Sequence, residues 1–158
     1  MMMAKGLRDR YDNTEKPHFH FVNPNPWRRS TADCVIREMS LFLGWSWTDT
    51  LKDLSAYCIK HGHMPNYYSG YKDYLVCQAF GGCKAPKKPC TVKEFLDNYT
   101  TKGTSYLVVI SHHMTCIKDG RINDTWDCSN RKVQGYWEKP DSETRTPFYD
   151  VVITERQQ

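Results

Sequence analysis

The order of apolar and polar positions divides the chain into a helical first part and a strand-rich second part. Residues 1 to about 30 carry Pro17, Pro24 and Pro26 and read as extended, with "HFHFV" alternating like one edge strand. From Cys34 onward, Val35, Ile36, Met39, Phe42 and Leu43 fall on one face of a helix, which Gly44 ends. Ser46 with Asp49 three residues later marks the start of a second helix, whose stripe is Trp47, Leu51, Leu54 and Cys58. A shorter helix near residues 70 to 80 carries Tyr71, Tyr74 and Leu75. Thr91 and Glu94 form a capping box before a helix that buries Phe95 and Leu96.

Beyond residue 103 the pattern changes. "SYLVVI" is rich in β-branched residues, and "HMTCIKDGRINDTW" reads as two strands around Asp119-Gly120, a strong hairpin signal. "KVQGYW" and "FYDVVI" are candidates for two more strands. Helices first and an antiparallel meander second predict an α+β fold, with N-terminal helices packed on a C-terminal antiparallel sheet. With no repeat or low-complexity tract, residues 1–158 are expected to form one domain, residues 1–27 being an extended N-terminal arm.

Composition narrows the function classes. With 39% apolar and 25% charged residues the chain is neither a disordered tail nor a membrane protein, and no apolar run reaches spanning length. The start, "MMMAKGLRDRYDNTEK", lacks the apolar stretch of a signal peptide, so a cytoplasmic location is expected. Seven cysteines, an odd number without an export signal, point to free thiols rather than a disulfide framework. The net charge of +4 is spread out, and its densest spot, "CKAPKKPC", reads as a solvated loop without interleaved aromatics, so nucleic acid is not an expected partner. A zinc site from Cys77, Cys83 and Cys90 with His61 or His63 would need short Cys-x-Cys pairs. The gaps of five and six residues do not match, so neither metal nor cofactor is expected.

Cys34 is the residue that changes the picture. It stands at a helix start behind Ser30, Thr31 and Asp33, all able to cap, where unpaired N–H groups and the helix dipole favour a thiolate. A thiolate nucleophile needs a base, and the base needs an orienting acceptor. The Asp-Gly hairpin offers two such pairs. If Asp119 and Gly120 are the loop, Lys118 pairs with Arg121 and His113 faces Trp126. Asp124 then lies diagonally beside His113, on a face shared with Ile117 and Ile122 that reads as buried. His112 and Asp127 point the other way, opposite one another, and form the alternative pair.

"STADCVIREMS", the middle "MPN" (Met64-Pro65-Asn66), "TVKEF" and "SHHMTCIKDGRINDTWDCSNRKVQGYW" together resemble a family of small papain-like cysteine peptidase proteins found largely in phages, prophages and bacteria. The match covers about residues 28 to 137. The resemblance implies a papain-like fold, with Cys34 as nucleophile, His113 as base and Asp124 as its orienter, and, for a phage-encoded chain, a place in the bacterial host cytoplasm. Papain-like enzymes usually carry a Gln about six residues before the cysteine as an oxyanion donor, and here that position is Arg28. The backbone N–H of Cys34 is one donor; the second is left open among Arg28, Arg29, Thr31 and Asn25.

The expected activity is therefore thiol-dependent acyl transfer, most simply hydrolysis of a peptide or isopeptide bond in a protein or peptide substrate. The alternative is a papain-like shell that binds a host protein as inhibitor or adaptor. Tyr67, Tyr68, Tyr71 and Tyr74 are candidates for a substrate groove, although amphipathic packing explains them equally well. The sequence does not indicate an oligomeric state.

Overall fold

Two apolar runs, β2 (Thr104–Ile110) and β3 (His113–Lys118), lie inside a five-stranded sheet that also contains β1 (Phe19–Phe21), β4 (Arg121–Asp124) and β5 (Gly135–Pro140). The computed structural model describes residues 14–29, 31–145 and 147. The candidate strand "FYDVVI" and the capping candidate Ser30 lie outside the described residues.

Burial on both faces explains why β2 reads as a continuous apolar run. Leu107 and Val109, with Met114, Cys116 and Trp137, face one cluster built from α1 (Cys34–Leu43), α2 (Trp47–His61) and α3 (Tyr68–Cys77). Tyr106, Val108 and Ile110, with Ile117 and Ile122, face a second cluster formed with Phe19 and α4 (Val92–Tyr99). The α+β class expected from the sequence is therefore present, but the helices occupy both sides of the sheet.

The caps behave as their sequences require. Ser46 Oγ accepts the Asp49 N–H at 3.0 Å, and Thr91 Oγ1 accepts the Glu94 N–H at 3.1 Å. Gly44 and Gly62 end α1 and α2 with φ of 74° and 73°, a left-handed conformation that glycine takes without cost. The third helix begins two residues earlier than the sequence suggested, at Tyr68, with Tyr71, Tyr74 and Leu75 all buried.

Three expectations need correction. The sheet is mixed, not antiparallel, because β1 pairs parallel with β4 (Phe19 beside Ile122, Phe21 beside Asp124) after the chain has run through every helix. The strand order β1-β4-β3-β2-β5 is no simple meander, since β5 crosses over to pair with β2. The lysine-rich loop is also partly anchored: Lys84 and Tyr136 exchange backbone hydrogen bonds of 2.9 and 2.8 Å, and the Lys84 ammonium pairs with Glu138.

The arm is tied down chiefly by contacts with the hairpin. Phe19 is fully buried, the Val22 N–H donates to the Asp124 carbonyl at 3.0 Å, and Arg121 reaches Glu15 at 2.6 Å. Phe19→Ala should therefore cost about 3–5 kcal/mol in urea unfolding, the range for emptying a buried aromatic site. A loss below about 1 kcal/mol would mean that the sheet does not depend on β1.

Candidate active site

Three elements converge on one cleft of about 680 Å³, lined among others by Cys34, Asn66, Tyr71, His113 and Trp126. The nucleophile candidate Cys34 is the first residue of α1 and is half-buried. The hairpin has the two-residue loop expected, with Lys118 opposite Arg121 and Ile117 opposite Ile122. That register brings His113 Nε2 to 2.6 Å from Asp124 Oδ2, both side chains being buried. Cys34 and His113 line the same cleft and act on one another's charge, and Nδ1 is the ring nitrogen that Asp124 leaves free to face the thiol. Trp126 packs beside the ring, with centroids 4.8 Å apart at 48°.

Asp33 holds the N-cap position of α1, yet its side chain makes no cap hydrogen bond. Its Oδ1 accepts Arg37 Nε at 3.0 Å, while Oδ2 accepts Trp47 Nε1 at 2.8 Å and Asn25 Nδ2 at 3.1 Å. The carboxylate that would ordinarily cover the helix start is held elsewhere, so the first N–H groups of α1 are not satisfied by it.

Arg37, one turn on, crosses to the hairpin. Its guanidinium donates to Thr125 Oγ1 at 2.9 Å and lies 3.7 Å from Asp124 Oδ1. Asp124 also accepts the Thr125 N–H at 2.7 Å, so its two oxygens face separate sets of donors and the carboxylate cannot swing away from His113.

The charges shift the two reactive groups in opposite directions. Burial is the largest influence on Cys34 and pushes the thiol up. The hydrogen bond and charge of His113, the Met114 backbone N–H and the Arg37 charge outweigh it, and the thiol ends below its ordinary range. Burial pulls His113 down, but the Asp124 charge and hydrogen bond, together with Cys34, raise the imidazole to about 9. Both shifts favour the thiolate–imidazolium form of the pair over the neutral one.

The alternative pair is not assembled. His112 sits in the β2–β3 turn with φ of 55° and lines the cleft, while Asp127 binds Lys16 at 2.9 Å and His18 at 3.0 Å. The β4 strand ends at Asp124, so the facing that a longer hairpin would give His112 and Asp127 is lost. Among the oxyanion candidates, Arg29 and Thr31 line the cleft, and exposed Arg28 does not. Asn25 is buried with its carboxamide spent on Asp33 and on the Trp27 N–H. Of the tyrosines, Tyr68 and Tyr71 line the cleft, whereas Tyr74 is buried against Asp53.

His113, Asp124 and Cys128 offer three ligand atoms within 4.8 Å of one another, a grouping that could hold a metal. Burial first, then the Asp124 charge, pushes the Cys128 thiol well above its ordinary range, which leaves it a protonated and poor ligand. Among the described residues Cys77, Cys83 and Cys90 do not gather with His61 or His63 into one group of ligand atoms, and His63 pairs with Asp73 at 3.1 Å.

Sequence reading missed Arg37, Glu38, Thr125 and Cys128. Arg37 and Glu38 lie on what a helical wheel makes the solvated side of α1, yet α1 is buried nearly all round. The Asp33–Arg37 spacing of four residues was the available signal for the first of them. The chain matches no protein-family model, no curated protein and no solved structure.

Glu38 is completely buried, and among the described residues neither carboxyl oxygen has a well-formed hydrogen bond, the Cys116 backbone N–H giving it only weak support. Burial, and then the Asp124 charge, raises it well above the ordinary carboxylate range. An acid raised in the folded state is fully compatible with folding only below its unfolded value of about 4.3, and stability falls as pH rises past that point. Glu38→Gln removes this dependence. Its advantage over the parent in denaturant unfolding should widen from pH 5 upward, by about 1.4 kcal/mol per pH unit until Glu38 itself ionises. Parallel stability profiles for the two proteins would show that Glu38 is not held neutral.

Proposed function

We propose that the protein is a thiol-dependent acyl-transfer enzyme of papain-like design, which most simply hydrolyses a peptide or isopeptide bond. The observation that carries this reading is the Cys34–His113–Asp124 line: a thiol at a helix start that shares one cleft with an imidazole anchored at 2.6 Å by a buried carboxylate. The sequence resemblance supports the same assignment of roles.

In this mechanism the Cys34 thiolate attacks the substrate carbonyl carbon, and the carbonyl electron pair moves to oxygen. The His113 imidazolium gives its proton to the leaving amine as the carbon–nitrogen bond breaks, leaving a thioester on Cys34. Water then attacks the thioester while His113 accepts its proton, and the thiolate departs with the acid product released. Asp124 holds the ring and stabilises its charged form throughout. An amine in place of water would make the same site a transferase. Burial of the pair and the packing of Trp126 beside the ring support the reading, because a low dielectric strengthens each of these interactions.

The first test is the thiol itself. Iodoacetamide at pH 6 should alkylate Cys34 at least about tenfold faster than exposed Cys77, since an ordinary thiol near 8.5 is almost wholly protonated there. His113→Ala should erase the preference. Cys34→Ser should keep the fold and abolish acyl transfer. Slow, unselective alkylation of the parent would favour the binding-protein alternative.

A second test follows from pH. Once a cleavable peptide is found, kcat/KM should rise as the Cys34 thiol ionises below its ordinary range and fall as His113 loses its proton near pH 9. A profile that keeps rising beyond pH 10 would exclude imidazolium as the proton donor.

A further inference from the structure

A tetrahedral adduct on Cys34 needs two hydrogen-bond donors at the oxygen that becomes negative. As the first residue of α1, Cys34 supplies one backbone N–H that no helical carbonyl can reach. Among the described candidates preceding Cys34, none is both uncommitted and held in place for the second donor role. Asn25 is tied to Asp33, Arg28 stays outside the cleft, and Arg29 and Thr31 line it as exposed side chains that no hydrogen bond among the described residues holds in place.

Asn66 meets the requirement from a different part of the chain. It lines the cleft, and its Nδ2 lies 3.4 Å from the carbonyl oxygen of Ala32, two residues before Cys34. The carboxamide therefore stands at the same end of α1 as the Cys34 N–H. A contact of 3.4 Å is long for an amide hydrogen bond, so it guides the group without using up its donor capacity, and Nδ2 carries a second hydrogen. Ala32 itself holds φ of 51°, a conformation costly for a residue with a Cβ, at the point where this contact is made.

The segment presenting Asn66 is fixed on both sides. His63 pairs with Asp73 at 3.1 Å, and its N–H donates to the Cys58 carbonyl at 2.9 Å. The Tyr67 N–H closes a turn onto the Met64 carbonyl at 3.1 Å. That turn rests directly on Gly70 in α3, where any Cβ would come within 2.4 Å of the Met64 oxygen. Only glycine lets the turn settle this deeply. Asn66 is exposed like Arg29, but it is short, stands on a braced turn and is held beside the Ala32 carbonyl near the start of α1, which preorganised stabilisation can use.

We propose that Asn66 is the second oxyanion donor of the Cys34 site, its Nδ2–H acting together with the Cys34 backbone N–H. The assignment rests on the acyl-transfer reading. It makes Asn66 a catalytic residue, and it places the reacting oxygen between α1 and the 64–67 turn, with the leaving group on the His113 side.

The test uses two reagents that need the thiolate but differ at oxygen. Iodoacetamide alkylates sulfur by displacing iodide and forms no oxyanion. Isotope-labelled N-acetylglycinal, small enough to need no side-chain pocket, adds reversibly: a sulfur–carbon bond forms, the carbonyl π bond opens, and the oxygen takes up a proton. Its tetrahedral adduct, read by NMR on the full chain, puts that oxygen in the proposed site. Asn66→Ala should weaken adduct formation at least about tenfold and leave Cys34 alkylation at pH 6 unchanged. Asn66→Asp, which offers a carboxylate instead of a donor, should weaken it further and serves if the alanine variant fails to fold. Parent-like adducts in both variants, with Cys34 alkylation intact, would overturn the assignment. So would the absence of any adduct on a parent whose Cys34 alkylates selectively. Unselective alkylation of the parent instead removes the acyl-transfer reading, and Asn66 with it.

Discussion

The guanidinium of Arg37 is the contact on which the rest of the site depends. It leaves α1, is held by Asp33 four residues back, and reaches Thr125 and Asp124 on the far side of the hairpin. A buried cation of this kind must be matched by buried anions, because an unpaired charge there costs several kcal/mol. The two carboxylates are consequently drawn to it, and one of them is the partner of His113. The orientation of the imidazole thus follows from a charge pair located in the helix that carries Cys34. The same balance accounts for Glu38. Burial and the Asp124 charge outweigh the opposing pull of Arg37, so protonation is the favoured state of Glu38.

Local preference and site geometry part company at the start of α1. Asp33 is a good capping residue at a capping position, and capping would contribute about 1 kcal/mol to the helix. Its side chain instead braces Arg37, Trp47 and Asn25. Consistency between local and global choices is the rule in foldable sequences, and exceptions gather where chemistry is done. A capping carboxylate here would occupy N–H donors at the mouth of the cleft and would set a negative charge beside the thiol.

What could be read in the sequence was what short-range geometry determines. The His113–Asp124 pairing was legible because an Asp-Gly loop of two residues leaves one register, and register dictates which side chains meet diagonally. The helix starts were legible from Ser46 and Thr91 for a similar reason, since a cap spans only three residues. The misreadings of strand pairing and of Asp127 involve partners far apart in sequence. Nothing near Asp127 signals that Lys16 and His18 would claim it, nor does β4 signal that it will gain a parallel neighbour from the arm. Arg37 and Glu38 went unread because periodicity reports which face is apolar, not whether polar residues opposite it are buried. Asn66 stood within a quoted motif, but its position beside Ala32 depends on how α3 packs, which spacing does not disclose.

The parallel pairing of β1 with β4 bears on how the chain reaches its working state. The hairpin of β3 and β4 closes locally, whereas Phe19 must find Ile122 across more than a hundred residues, and contacts of that separation form late because ordering the intervening chain comes first. Until they form, β4 is an unprotected edge, and Asp124 lacks the neighbour that flanks its backbone. The acidity of the Cys34 thiol depends on His113, and the charge of His113 on Asp124. An unfolded chain, in which His113 and Asp124 have not met beside α1, therefore carries an ordinary cysteine, and the shift of its thiol is a property of the folded sheet.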